Sequence, residues 1–273
     1  MTFEGLLSEK LFEPHAGTNR RLTAAPGVSD ALAAALAARE CAQHAAPLIV
    51  LCADASDPDR LAEEISWYEP QLSVRVFPDW ETLPYDMISP HEDLVSERLE
   101  TLFRLASRVP GRRAASRGGI DVLLVSATTA SLRLPPPAFV SATTFFFSRG
   151  DVISTTDFKR RLVMAGYSAV SQVMAPGEFC VRGEIIDIYP MGAPSPYRIG
   201  LFDDEIETLR TFDETTQRTT GDVQTVRILP GREFPMDEAG TQLFRKNWQK
   251  TFPKAPASSP VVRDIASHVA PAG

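Results

Sequence analysis

The sequence predicts a doubly wound parallel α/β sheet domain followed by a smaller α+β unit, and three observations carry that reading. Between about residues 20 and 133, compact apolar runs alternate with helical patterns, as parallel strands joined by right-handed crossover helices do. At LPPPAF (134–139) three consecutive prolines stop the pattern. Proline cannot continue a helix and stiffens a connection. Beyond it, short alternating runs with Gly and Pro turns dominate, the pattern of an antiparallel sheet with one wet face.

The elements follow in order. PLIVLCAD (47–54) is apolar and rich in branched residues, which predicts a strand buried on both faces. DPDRLAEEISWYEP (57–70) sets Leu61, Ile65 and Tyr68 at helical spacing, with Asp57 or Asp59 as cap. SVRVFPDW (73–80) predicts a second strand. SPHEDLVSERLETLFRLAS (89–107) predicts a helix capped by Ser89, with Pro90 at its first position. Its apolar stripe is Leu94, Val95, Leu99, Leu102, Phe103 and Leu105. A basic loop, PGRRAASRGG, leads to IDVLLVSAT (120–128), a third buried strand. Past the prolines come a helix, TTDFKRRLVMAGY (155–167), ending at Gly166, and strand runs at 178–190, 196–213 and 223–230. A last helix (237–252) precedes a Pro/Ala/Ser tail, which ends at APAG as a piece of a longer chain would. No internal repeat is evident.

A length of 273 residues suits one large domain or two smaller ones, and 44% apolar residues suffice for a core. A formal net charge of -7 argues against a dedicated nucleic-acid binder, which needs clustered Lys and Arg on phosphates. It leaves room for a local basic patch at Arg112, Arg113 and Arg117. The three cysteines, Cys41, Cys52 and Cys180, have no C-x-x-C spacing, so neither a disulfide framework nor a zinc knuckle is expected. A reducing cytoplasm fits that usage. MTFEGLLSEK is not a secretory signal, and no apolar run reaches the roughly 20 residues that span a bilayer.

Several stretches are candidates for chemistry. LTAAPGVSDALAAAL (22–36) stands where a phosphate loop, G-x-x-x-x-G-K-[ST], would sit. Gly27 falls on the last glycine and Ser29 on the hydroxyl, but Val28 holds the lysine position and Leu22 that of the first glycine. Val28 supplies no charge for a β- or γ-phosphate, so the residues favour an ordinary strand-to-helix turn. LFDDEIE (201–207) has the look of a magnesium-holding acidic box, yet RIGLF before it alternates, and an acidic β-turn after Phe202 is the favoured reading. His15, His44, His91 and His268 are not paired at metal spacing. Ser29, Ser96 and Ser126 lack a G-x-S-x-G elbow. Catalytic residues and a metal site are therefore not expected.

Arg182 in CVRGEIIDIYP and Arg198 in PYRIGLF are different. Counting by twos from Ile186 and Ile188 puts Arg182, Glu184 and Cys180 on one face, so phase alone leaves open which side is wet. Arginines near an exposed aromatic, here Phe202, make protein-docking anchors. From the residues alone, the favoured reading is that both arginines merely pair with Glu184, Asp187 or Asp203 on a solvated sheet.

Four stretches, FPDWETLPYDMISPHEDLVSERLETLFRL (77–105), GEFCVRGEIIDIYPMG (177–192), YRIGLFDDEIETLRTFD (197–213) and ILPGREFP (228–235), resemble the amino-terminal part of the bacterial transcription-repair coupling factors. The resemblance runs from about residue 15 to 273; RGEIIDIYP and LFDDEIE are shared more widely with the excision-repair protein UvrB. It implies a UvrB-like module: a degenerate helicase-like (RecA-type) α/β domain over 1–136, an inserted α+β domain over 137–222 that docks UvrA, and a return to the first domain over 223–273. It makes Gly27, Val28 and Ser29 a vestigial nucleotide loop. It implies Arg182, Arg198 and Phe202 as the UvrA-binding positions, the arginines pairing with UvrA carboxylates around a buried Phe202. UvrB's DNA-gripping hairpin has no counterpart here, since the chain enters a helix directly after YDMISPH.

The function so implied is that of a cytoplasmic adaptor without catalysis or cofactor of its own, recruiting UvrA to stalled RNA polymerase in nucleotide excision repair. In the full-length protein, the ATP- and magnesium-using motor and the polymerase and DNA contacts would lie outside this chain. A distant domain would cover the docking face until the polymerase is engaged. The alternatives from other classes are an ATP-dependent DNA-processing domain and a DNA-binding scaffold built on the basic loop.

Overall fold

The computed structural model describes residues 29–43, 46–82, 88–108, 119–255, 259–267 and 270. Gly27, Val28, the basic loop and three of the histidines lie outside them. The architecture is mixed α/β with three sheets, of three, six and two strands, among the described residues. The chain divides into two compact units, Met1–Asp79 with Arg104–Arg133, and Trp80–Phe103 with Leu134–Gly273.

In the first unit, β1 (Leu48–Cys52), β2 (Val74–Val76) and β3 (Val122–Ser126) form a parallel sheet in the order β1-β3-β2. Helices α1 (Asp30–Gln43) and α2 (Asp57–Tyr68) supply Ala31, Ala35, Ala38, Leu61 and Ile65 to a core shared with Cys52, Val122 and Leu124. The central strand β3 is buried along its whole length. β1 is not: Ile49 and Leu51 are 61% and 63% exposed. The expectation that 47–54 is buried on both faces therefore fails. β1 lies at an edge of the described sheet, and the residues packed with α1 and α2 occupy its other face. Ser29 opens α1, its hydroxyl accepting from the Leu32 N–H at 3.2 Å.

Helix α3 (Glu92–Ala106) begins later than Ser89 and Pro90. His91 takes the capping place instead: its carbonyl receives Val95 N–H and its Nδ1 accepts from Asp93 N–H at 3.3 Å. The apolar stripe is also incomplete as a description. Ser96, Arg98, Glu100 and Thr101 are buried along with Leu99 and Leu102. Short helices α4 (Ala127–Ala130) and α5 (Pro137–Ala142) flank the proline run, which places Pro137 at the start of α5.

In the second unit, β4 (Phe145–Ser148) is followed by α6 (Thr155–Ala165), capped by Ser154 and ended by Gly166. Strands β5 (Ser168–Ala169), β6 (Glu178–Arg182), β7 (Ile185–Ile188), β8 (Tyr197–Phe202), β9 (Glu205–Phe212) and β10 (Thr219–Asp222) form a sheet in consecutive order, antiparallel except for β5 with β6. Its inner face gives Phe179, Ile186, Ile188, Ile199, Leu201, Ile206 and Leu209 to a core with Phe158, Leu162 and Tyr167. β11 (Thr225–Ile228) pairs antiparallel with β4 and adds Val226 and Ile228 to that core. The start of the segment expected to return to the first domain thus packs in the second unit. Helices α7 (Glu238–Thr251) and α8 (Pro260–Ala266) close the order, α7 capped by Asp237.

Buried charge ties α3 into this second unit. Arg98 is fully buried and forks onto Glu233, with Nη2 to Oε2 at 3.1 Å and Nε to Oε1. The Trp80 indole N–H donates to the same carboxylate at 3.3 Å, and the Arg98 guanidinium lies 5.0 Å from the Trp80 ring centre. Glu100 accepts from Arg227, and the Ser96 hydroxyl accepts from Gly192 N–H at 2.7 Å. Among the described residues no helix is long and apolar enough to cross a membrane.

A candidate protein-docking face

The outer face of the six-stranded sheet carries the three residues singled out in the sequence. Cys180, Asp187, Arg198 and Arg210 lie in one cross-strand row, paired 180 to 187, 187 to 198 and 198 to 210. Arg182 pairs with Ile185, and Ile185 with Gly200, in the next row. Ile186 and Ile188 point to the core. Arg182 therefore faces away from them, although counting by twos joined them. The count fails at the two-residue turn Gly183–Glu184, because strand parity does not carry round a hairpin. Gly183 has φ +60 there, a conformation strained for residues with a Cβ.

Asp187 organises the row. It is 1% exposed. Its carboxylate accepts Arg198 Nε at 2.7 Å on Oδ1 and Arg198 Nη2 at 3.0 Å on Oδ2, a bidentate fork. Arg182 Nη2 donates to Oδ2 as well. Of the three carboxylates open as partners, Asp187 takes both arginines. This hydrogen bonding pushes the Arg198 guanidinium above its already high ordinary pKa. Arg198 is further held by Nη1 donating to the Gln217 carbonyl at 3.2 Å and by the Phe212 ring, 4.7 Å below the guanidinium carbon. Gln217 adopts a left-handed φ of 59, and its side-chain amide donates to the carbonyls of Val173 and Glu214 at 3.0 and 2.7 Å.

Arg182, Ile185 and Arg198 line one open depression with Ser171, Gln172 and Gln217. Gly200 is the neighbour of Ile185 on β8, and a Cβ there would stand 2.5 Å from the Thr208 hydroxyl. The Thr208 hydroxyl thus occupies the space above Gly200. Phe202 is 68% exposed and lies four residues along β8 from Arg198, about 13 Å at the rise of a strand. It lines a separate depression with Arg149, Gly150 and Glu207. The structure thus brings the two arginines together and leaves Phe202 at the end of the strand, with Ile185 between. Sequence reasoning missed Ile185 as an exposed apolar centre. The readable signal was its place directly after the R-G-E turn.

The other candidates have structural employment. LFDDEIE is the β8–β9 hairpin: Phe202 pairs with Glu205, and Asp203, at φ 53, occupies the two-residue turn. The Ser126 hydroxyl caps α4 by accepting Thr129 N–H at 3.2 Å. Among the described residues no group of three or more His, Cys, Asp or Glu is placed to hold a metal. What the face can do chemically is recognition. Two guanidinium groups, one buried carboxylate and an exposed isoleucine make an anchor for a carboxylate-bearing surface.

Residues 145–234, which contain the entire cluster, match the family model described as the UvrB interaction domain. The chain is 37% identical to the transcription-repair-coupling factor of Escherichia coli (strain K12) over 90% of its length, and 38% identical to that of Haemophilus influenzae over 75%. Over the matched span, the chain resembles the transcription-repair-coupling factors. The similarity extends to the factor of Myxococcus xanthus, at 32% over 69% of this chain. The chain spans about a fifth of the length of these relatives, 20% for that of Escherichia coli. Arg182, Asp187, Arg198 and Phe202 all lie inside the span that matches the UvrB interaction domain.

Proposed function

We propose that this chain is the UvrB-mimicking adaptor of a transcription-repair coupling factor, recruiting UvrA to stalled RNA polymerase in transcription-coupled excision repair. One observation carries the reading. The exposed face of a UvrB interaction domain presents two arginines held side by side by a buried aspartate, next to an exposed isoleucine. Such a face recognises carboxylates on a partner protein. The parallel three-stranded unit is read as the remnant of a RecA-type domain interrupted by the docking domain. It uses no nucleotide, since Val28 replaces the phosphate-loop lysine. ATP and magnesium, RNA polymerase and DNA are engaged by other parts of the full-length protein, and a distant domain covers the face at rest.

The test is calorimetric titration of this chain with UvrA. The chain binds, and the variant carrying Arg182→Ala, Arg198→Ala and Phe202→Ala loses detectable binding at micromolar concentrations. Undiminished affinity in that variant refutes the assigned face.

A further inference from the structure

The two arginines of the docking face are not equivalent. Arg198 is 22% exposed and commits Nε and Nη2 to Asp187 and Nη1 to the Gln217 carbonyl, while Phe212 closes one face of its guanidinium. The edge that would take a partner's carboxylate bidentately is already taken by Asp187. Arg182 is 52% exposed and spends one N–H on Asp187. Of the five donors in a guanidinium fork, its others meet no acceptor among the described residues. The cluster of two arginines and one aspartate has a net charge of +1, so a single carboxylate neutralises it. Ile185, 41% exposed, lines the same depression, so an apolar side chain can pack on it next to that carboxylate.

We infer that Arg182 is the gripping residue, taking one Asp or Glu carboxylate of the partner bidentately while an apolar neighbour of that residue covers Ile185, and that Arg198 and Asp187 are positioning residues. The inference rests on the docking reading above and adds the division of labour within it. Asp187 orients Arg182 by its one hydrogen bond, and Arg198 anchors Asp187. Approach of the partner swaps water, not Asp187, for the new carboxylate.

Three variants of this chain test it against UvrA, with folding checked by thermal midpoint. Arg182→Lys keeps the charge and loses the planar fork. Affinity falls about tenfold or more, expressed mainly in the dissociation rate, because steering by charge is retained. The thermal midpoint stays put. Asp187→Asn makes the face one unit more positive, so simple attraction of an anionic surface would tighten binding. Positioning by Asp187 requires the opposite, weaker binding. The arginine Nε signals of the free chain give a partner-independent readout. In the wild type Arg198 shows restricted guanidinium rotation and Arg182 fast averaging; in Asp187→Asn the Arg198 restriction is lost.

Should Arg182→Lys bind as the wild type does while the triple alanine variant loses binding, the division of labour is wrong and the docking face stands. A triple variant that binds normally removes both. Tighter binding by Asp187→Asn, or free rotation of Arg198 in the wild type, overturns the positioning role by itself.

Discussion

The buried pair Arg98–Glu233 sets the firmest stability prediction. Glu233 is 6% exposed at its side chain and Arg98 0%, so the pair is dry. Glu233→Leu removes the fork to Arg98 and the acceptor of the Trp80 indole, leaving a guanidinium without its carboxylate inside the second unit. Breaking a buried pair from one side costs about 3–5 kcal/mol. At roughly 2–4 °C per kcal/mol for a body of this size, that is a fall of roughly 6–20 °C in the midpoint. The double variant Arg98→Met, Glu233→Leu replaces both ions with apolar side chains of similar volume. It recovers half or more of the loss, because the penalty comes mostly from burying the Arg98 charge without Glu233 and less from the missing attraction. The chain has two units, so the second is also followed by itself. Urea unfolding read by hydrogen exchange in peptides from 92–103 and 225–229 isolates the second unit. A loss under about 1 kcal/mol in the single variant, or simple additivity in the double, refutes the claim that a dry, mutually dependent ion pair holds α3 there.

Other consequences are open to direct measurement. Tyr167 is buried, donates to the Leu229 carbonyl at 2.7 Å and accepts from Met191 N–H at 3.1 Å; Tyr167→Phe strands both groups and costs about 1–3 kcal/mol in urea titration. Burial raises the Tyr167 pKa. The folded state therefore keeps the proton when the unfolded chain releases it near pH ~10, so stability falls as pH rises past that value, and Tyr167→Phe flattens that alkaline slope. Burial also raises the pKa of the Cys41 and Cys52 thiols, so both react with a thiol reagent at pH 7.5 far more slowly than after unfolding in urea. Mg-ATP at millimolar concentration leaves the thermal midpoint unchanged; a shift of several degrees would restore the nucleotide-binding alternative.

How much of this was legible in the sequence depends on whether a residue's environment is local. The β3 run IDVLLVSAT is apolar at every position, and a central strand with covered faces is what the structure shows. PLIVLCAD has the same texture, yet Ile49 and Leu51 are exposed; composition reports what a strand could bury, and position in the sheet decides what it does bury. Helix α3 shows the converse. A hydrophobic stripe predicts its existence and its Leu99 core contact. It gives no hint that Arg98 and Glu100 are inside, because their partners Glu233 and Arg227 lie more than a hundred residues away.

The candidate docking face follows the same rule. Arg182, Arg198 and Phe202 stand out from the resemblance, but residue counting joined Arg182 to the core-facing phase of Ile186, and only the hairpin register separates them. Asp187 was one of three equal candidates as ion-pair partner. It is singled out by pairing directly with Arg198 across two strands and with Cys180 on the other side, at the middle of the sheet where water does not reach. A carboxylate buried at such a point cannot stand alone, since an isolated charge there would be neutralised or excluded. Its burial therefore demands arginines, and the surplus positive charge those arginines leave at the surface is what a partner can use.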